Sequence, residues 1–197
     1  MGLPFVSIVG TTECDAHCEF CDRWREPIIT MDPELTCRLI EQLPDQRTAI
    51  DITGGQPGLW NGISLVLNQC RKKHLPTTVT VSGPTAMNLI EDIPLISYLR
   101  VSVHGTPEHH DRFQGNGFYQ ANLEFLQAVM KHKQPHRPPE LIFTVRKEQT
   151  AEDFWTVDQI ARQLGVRVIG NFDWGLKISP KIFQLVDTNI DYYIVCA

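Results

Sequence analysis

The chain has 197 residues, a length that suits one domain with a substantial buried core. Its 42% hydrophobic and 21% charged residues are ordinary for a soluble globular protein, and no apolar run approaches the roughly 20 residues that span a bilayer. The formal net charge of -5 gives no general attraction to phosphate backbones. We therefore expect a single domain over residues 1–197, with neither a membrane segment nor a nucleic-acid partner.

The first residues, MGLPFVSIVG, lack the basic start and the long apolar core of a signal peptide. We therefore expect a cytoplasmic protein. Its cysteines should stay reduced, because structural disulfides form in oxidising compartments.

Short β-branched runs alternate with amphipathic stretches along the chain. One helical pattern begins at Asp32, with Pro33 in its first turn. Another runs from Ala151 and ends on Gly165. No composition break or exact repeat indicates a second domain. The β-branched runs predict six strands, at residues 4–10, 49–55, 77–83, 98–105, 140–146 and 166–171.

The alternation of strands and helices favours an α/β fold. Such strands pair in parallel through right-handed crossovers, and their functional sites lie at the carboxyl ends of the strands. A complete eight-stranded barrel needs about 250 residues. Six predicted units in 197 residues therefore indicate an open, partial parallel barrel of about six β/α units, with a flat doubly wound sheet as the alternative.

Three of the six cysteines, Cys14, Cys18 and Cys21, lie directly after the first predicted strand. Thiolates favour zinc, copper(I) and iron–sulfur clusters. A structural zinc site would take His17 as its fourth ligand, but no downstream Cys or His pair has the spacing of a zinc finger. A thioredoxin-type redox pair would use Cys18 and Cys21 and would leave Cys14 unexplained.

A four-iron cluster explains the number of cysteines better than these alternatives. Three protein thiolates would leave one iron without a protein ligand, and an open coordination position is where a metal site performs chemistry.

The spacing Cys14-x3-Cys18-x2-Cys21, with Phe20 before the last cysteine, resembles the signature of the radical S-adenosylmethionine (radical SAM) superfamily. The resemblance implies a radical SAM core in which the three cysteines hold a 4Fe-4S cluster and SAM chelates the unique iron. It also implies reductive cleavage of SAM to methionine and a 5′-deoxyadenosyl radical, which takes a hydrogen atom from the substrate.

The stretch ITGGQPG, residues 52–58, resembles the Gly-Gly-Glu-Pro turn with which the family receives the amino group of SAM. The resemblance implies cofactor-binding roles for Gly54, Gly55 and Gln56. Gln56 stands where the family has glutamate. An amide oxygen can still accept a hydrogen bond from an ammonium group, but it lacks the charge of a carboxylate.

Residues 101–126 are similar to the fourth-strand region of family members that modify peptides or build cofactors, such as the molybdopterin and pyrroloquinoline quinone pathway enzymes. By position, Ser102 would lie near the ribose or carboxylate of SAM, unless it is a core or capping residue. His104 would face the same cavity, because residues two apart on a strand share a face. Arg146 resembles the residue that pairs with the SAM carboxylate in several members, with a surface salt bridge as the alternative.

Two further positions resemble parts of the family that contact adenine. They are Phe20 and the stretch from Val168 to Asn171, and both could equally be core residues. His109 and His110 follow the fourth predicted strand, and we expect them at a helix start or on the surface.

The other cysteines give no sign of an auxiliary cluster. Cys37 and Cys70 fall in predicted helices and are interpreted as small buried apolar residues, and Cys196 has no close cysteine neighbour.

The leading functional hypothesis is a radical SAM enzyme that acts on a small molecule, a nucleotide-like precursor or a peptide. Such an enzyme also needs an electron donor such as flavodoxin or ferredoxin. The first alternative is an activating enzyme that installs a glycyl radical on a partner protein. The second is an iron–sulfur sensor or electron-transfer module, for which the α/β scaffold and the ITGGQPG turn would be unnecessary.

Overall fold

The computed structural model describes residues 5–44, 48–132 and 137–172, which contain a six-stranded parallel sheet in the order β1-β2-β3-β4-β5-β6. Residue 4, at the start of the first predicted strand, and Cys196 lie outside these ranges. The strands are β1 (Phe5–Thr11), β2 (Ala49–Gly54), β3 (Thr77–Val81), β4 (Tyr98–Ser102), β5 (Glu140–Val145) and β6 (Arg167–Phe172).

Five α-helices lie in the described part of the chain. In addition, short 3-10 segments cover Arg23–Arg25, Pro57–Leu59 and Pro84–Leu95. The α-helices are α1 (Pro33–Glu41), α2 (Ile63–Lys72), α3 (Pro107–Gln114), α4 (Phe118–Lys131) and α5 (Ala151–Leu164). None of these helices has both the length and the apolarity that a membrane span requires.

The strand order confirms the open, partial parallel barrel. Each strand pairs with its neighbour in sequence, and β1 and β6 are not paired with each other in the described residues. A doubly wound sheet reverses its strand order at a switch point, whereas this order runs in one direction. Right-handed crossovers in one direction place all the helices on the same face of the sheet.

The two faces of the sheet differ in polarity, as the two-residue period of a strand requires. On β2, Ile50 and Ile52 are fully buried in the hydrophobic core against the helices, while Asp51 and Thr53 point to the opposite face. The same alternation continues on the neighbouring strands, so the inner face of the barrel is polar. The single domain over residues 1–197 stays a prediction.

Asp153 joins the beginnings of α3 and α5. This fully buried carboxylate accepts the backbone N–H of Thr106 at 2.9 Å and of Thr150 at 2.8 Å, and it lies 2.7 Å from Nδ1 of His109. Burial raises the pKa of Asp153, but the hydrogen bonds from Thr150, Thr106 and His109 outweigh this effect and hold the pKa below its ordinary value. Asp153 thereby fixes two helix starts near the carboxyl ends of β4 and β5.

Asp153→Ala should lower the free energy of unfolding by about 3 kcal/mol at neutral pH, because two N–H groups lose their acceptor in a buried position. The folded-state pKa is depressed, so the stabilisation by Asp153 is complete above the ordinary value of 3.8 and is lost as the pH falls through the folded-state pKa. Urea unfolding of the apoprotein at several pH values should therefore show a difference that narrows in acid.

The control for this measurement is Glu152→Ala, which removes an exposed carboxylate from the same helical turn. It should change stability by no more than about 0.5 kcal/mol. Equal stabilities for the two variants would contradict the role given to Asp153.

Candidate functional site

A cavity of about 380 Å³ opens on the inner face of the sheet, toward the carboxyl ends of the strands. Its volume lies within the range of small-molecule and cofactor sites. The lining includes almost every site residue proposed from the sequence: Cys14, Cys18, Cys21, Phe20, Gly54, Gly55, Gln56, Ser102 and His104. We call this space the site cavity.

The cysteine loop, residues 12–22, is held in place by the end of α3. The backbone N–H of His17 donates to the carbonyl of Gln114 at 2.8 Å, and that of Glu19 donates to the carbonyl of Phe113 at 3.1 Å. The last carbonyl groups of a helix have no hydrogen-bond donor within it, so the backbone N–H groups of the cysteine loop serve as donors for these two carbonyls of α3. The loop is therefore positioned by the protein itself.

The thiols of this loop are free and partly buried. Burial raises the pKa of Cys14, and burial with the neighbouring thiols raises the pKa of Cys18 to about 12. These groups are consequently protonated at neutral pH and must lose protons to bind a metal.

The thiols line one cavity without converging on one point. Across the described ranges, no group of three or more His, Cys, Asp or Glu side chains is arranged to hold a single metal ion. A polynuclear cluster takes one thiolate at each of several irons, whereas structural zinc gathers four ligands around one ion. The three thiols line one cavity, as the protein ligands of such a cluster would.

The Gly-Gly turn, residues 54–57, is joined to the start of the cysteine loop. The N–H of Gly55 donates to the carbonyl of Thr11, and that of Gln56 to the carbonyl of Glu13, both at 2.7 Å. A Cβ atom at Gly55 would lie 1.9 Å from the Glu13 carbonyl oxygen. Only glycine permits this approach, so glycine at position 55 allows the Gly-Gly turn to lie this close to the cysteine loop.

Gln56 presents an unused acceptor. Its side chain is 2% exposed, and its Oε1 atom has no hydrogen-bond partner among the described residues. A buried carbonyl without a donor costs about 1–3 kcal/mol. Because Gln56 lines the site cavity, a donor on a bound ligand would remove this cost.

His104 is almost completely buried beside the cysteine loop. Its Nδ1 accepts the backbone N–H of Thr144 at 3.1 Å, and its ring meets Phe20 edge to face with centroids 5.7 Å apart. Burial, together with His110 and Arg146, lowers the pKa of His104 well below its ordinary value. The ring is therefore a neutral, fixed part of the cavity wall.

His110 and Asn122 belong to a polar network that the sequence analysis missed. His110 lies in the first turn of α3, as expected, but it is fully buried, so the surface alternative was wrong. Its Nδ1 accepts the backbone N–H of His104 at 3.0 Å, and burial lowers its pKa to about 4. Asn122 donates to the carbonyl of Ser102 at 2.8 Å. The available signal was an asparagine at an apolar position of the helical pattern in α4.

Arg146 does not line the site cavity. Its guanidinium lies 4.6 Å from the ring centroid of Phe113 and 5.5 Å from that of Phe20, and Nη1 is 3.4 Å from Oε2 of Glu19. The geometry thus places Arg146 against the cysteine loop, where it braces the loop through cation–π contacts and charge. The pairing of Arg146 with a SAM carboxylate stays a prediction.

The stretch from Val168 to Asn171 divides between the two faces of β6. Val168 belongs to the hydrophobic core, and Asn171 lines the site cavity. Of this stretch, Asn171 is the residue available to a ligand.

The fold is similar to solved structures at low sequence identity. Streptococcus suis SuiB bound to S-adenosylmethionine matches with a TM-score of 0.74 and 16% identity over 98% of this chain and 50% of that chain. SuiB bound to precursor peptide SuiA matches with a TM-score of 0.70 and 18% identity over 88% of this chain and 40% of that one. TYW1 with a lysine-pyruvate adduct matches with a TM-score of 0.64 and 15% identity over 92% and 71% of the two chains.

The chain spans about half the length of the SuiB chain that it matches. No curated protein sequence matches it. The family match, to the Radical SAM superfamily, covers residues 8–168 and includes the cysteine loop, the Gly-Gly turn and most of the sheet. The chain therefore belongs to the radical SAM superfamily, whose enzymes use a 4Fe-4S cluster and S-adenosylmethionine.

Proposed function

We propose that Cys14, Cys18 and Cys21 hold the 4Fe-4S cluster and that the enzyme cleaves SAM reductively to act on a small-molecule, nucleotide-like or peptide substrate. The observation that carries this proposal is the site cavity, whose lining joins the three thiols to the Gly-Gly turn. Three soft sulfur donors suit iron, and the unpartnered Oε1 of Gln56 suits the ammonium group of SAM. The residues present therefore fit both cofactors.

Each part of the lining has a distinct role in this proposal. The thiols anchor the cluster, and Gln56 accepts a hydrogen bond from the SAM ammonium group. Ser102 and Asn171 offer polar contacts on the inner faces of β4 and β6. When bound, the cluster and SAM supply a 5′-deoxyadenosyl radical that takes one hydrogen atom from the substrate.

Phe20 provides an apolar wall beside these polar groups. Its ring is fixed by the edge of His104 at 5.7 Å and by the guanidinium of Arg146 at 5.5 Å, measured to ring centroids. A fixed aromatic wall limits the access of solvent and oxygen to a reactive site. The neutral His104 adds no charge that would attract water.

The substrate class rests on weaker support than the cofactors. A precursor peptide is bound in one structure of SuiB, and a lysine-pyruvate adduct in TYW1. These similar folds favour a peptide or a small molecule as the substrate here. A one-electron donor such as flavodoxin or ferredoxin, in a reducing cytoplasm, completes the proposal.

Gln56→Glu should tighten SAM binding by about fivefold, because a carboxylate adds the attraction between two opposite charges to the hydrogen bond that the ammonium group donates. Without SAM the same variant should be less stable than the wild type, since the new carboxylate is placed at a position that is only 2% exposed. Equilibrium dialysis of the reconstituted protein and urea unfolding of the apoprotein measure the two effects.

Gln127→Glu is the matched control, because Gln127 is exposed on α4. It should alter neither SAM binding nor stability appreciably. Unchanged or weaker SAM binding by Gln56→Glu would show that Oε1 does not meet the ammonium group.

The reduced, reconstituted enzyme should convert SAM to equal amounts of methionine and 5′-deoxyadenosine with dithionite as the electron source. Cys18→Ala should lose both the cluster absorbance and the products, because the cluster loses one of three anchors. Cys37→Ala should keep them, since Cys37 lies on α1, outside the site cavity. Chromatography of the products and iron analysis give the readout.

The same assay separates the leading function from the glycyl-radical alternative. A candidate substrate that is deuterated at its reacting carbon should pass deuterium to 5′-deoxyadenosine. An activating enzyme would instead generate a radical on a partner protein, visible by electron paramagnetic resonance. A protein that holds the cluster and binds SAM but never forms 5′-deoxyadenosine would refute both functions.

A further inference from the structure

The lower part of the site cavity contains a carboxylate that the cofactor roles do not use. Asp51 lines the cavity from the inner face of β2, two residues before Thr53 on the same face. It precedes Gly54 by three residues, so it lies about 10 Å along the strand from the Gly-Gly turn. Asp51 is thus deeper in the barrel than the residues proposed to hold the cluster and SAM.

Asp51 is the sole carboxylate in the described lining of the site cavity. By strand register, Asp51 is aligned with Ser7 on β1 and with Thr78 on β3. Thr53 and Thr80 line the cavity closer to the carboxyl ends of the strands. A negative charge on the wall of a partly enclosed cavity attracts cationic ligands and repels anionic ones, so it makes ligand binding selective.

The neighbours of Asp51 compensate its charge only in part. Burial raises the pKa of the Asp51 carboxyl group, and the attraction of Arg100 and the neighbouring Ser7 hydroxyl offset this effect only in part. The guanidinium of Arg100 is bound to Glu140 at 3.2 Å, and Glu140 also binds Arg167 at 2.6 Å. Asp51 forms no salt bridge within the described residues.

A carboxylate accepts about four hydrogen bonds, more than the hydroxyl of the aligned Ser7 can donate. A cation that entered the cavity would recover the hydration that Asp51 loses on burial. A neutral donor would recover less, because it lacks the attraction between opposite charges that a cation adds to the hydrogen bond.

We propose that Asp51 is a specificity residue that binds a cationic group of the substrate, either a primary ammonium or a guanidinium. This proposal rests on the proposed function, since it assigns the substrate end of the same cavity. The cation anchors the substrate at the base of the barrel and leaves the reacting carbon toward the carboxyl ends of the strands. A free amine and the side chain of a Lys or Arg in a peptide share this chemistry.

The test uses two cationic probes and their neutral counterparts on the reconstituted protein with SAM. The small pair is n-pentylammonium and 1-pentanol, and the peptide pair is the end-blocked heptapeptides GGGKGGG and GGGQGGG. Saturation-transfer NMR titrations should show that the wild type prefers the cationic member of at least one pair. Asp51→Asn should weaken binding of that member by about tenfold or more, because hydrogen bonds to a neutral amide replace an ion pair with a carboxylate.

Glu124→Gln is the matched control, because it removes one negative charge from the exposed face of α4 and should preserve the preference. Asp51→Glu should retain the preference for cations, since it keeps the charge. Asp51→Ser removes the charge by a second route if the Asn variant does not fold.

The outcomes distinguish the source of the cation. Preferential binding of pentylammonium indicates a small amine, and tighter binding of the lysine peptide indicates a peptide substrate. Equal binding of cationic and neutral probes by the wild type, or an undiminished preference in Asp51→Asn, would overturn the proposal. Formation of 5′-deoxyadenosine by the wild type is measured separately, so failure of the proposed function and failure of the Asp51 assignment give different results.

Discussion

The alignment of Thr11 with Gly54, at the ends of β1 and β2, is the contact on which the site depends. Parallel pairing brings the carboxyl ends of the two strands together, and the register then places Gly55 and Gln56 against the first residues of the cysteine loop. Because Gly55 has no Cβ, two backbone hydrogen bonds of 2.7 Å can form across this junction. The proposed anchor of the cluster and the proposed acceptor for SAM are therefore positioned by one strand pair.

The cavity also depends on the difference between the two faces of the sheet. Helices pack against one face and form an apolar core with it. The other face carries polar side chains that line the cavity, such as Thr53, Ser102 and Thr144. On this side His110 accepts the backbone N–H of His104, and His104 accepts that of Thr144. Asn122 extends this network by donating to the carbonyl of Ser102. Such a network is favourable only when its members have partners, so it also fixes the cavity wall.

Cofactor binding in the proposed site requires the thiols to release protons. It also supplies hydrogen-bond donors to buried acceptors that lack them. The buried thiols of Cys14 and Cys18 have raised pKa values and must lose protons to become ligands. The loop that carries them is already held by α3, which reduces the entropy lost when a cluster binds. Gln56 and Asp51 offer acceptors at two depths of one cavity, the first suited to SAM and the second to a substrate cation.

The sequence by itself determined the local features of this protein. The alternation of β-branched runs indicated the strands and the parallel barrel, while the spacing of the cysteines and the ITGGQPG stretch indicated the candidate cofactor residues, because these signals lie within a few neighbouring residues. Only the tertiary structure decided the long-range contacts. It placed Arg146 against Glu19, buried His110 beside His104, and put Asp51 in the cavity lining with no salt bridge to any described residue. Such outcomes depend on strand register and on helix packing between distant segments, and neither the partner of a charge nor its burial is written in the local pattern that surrounds it.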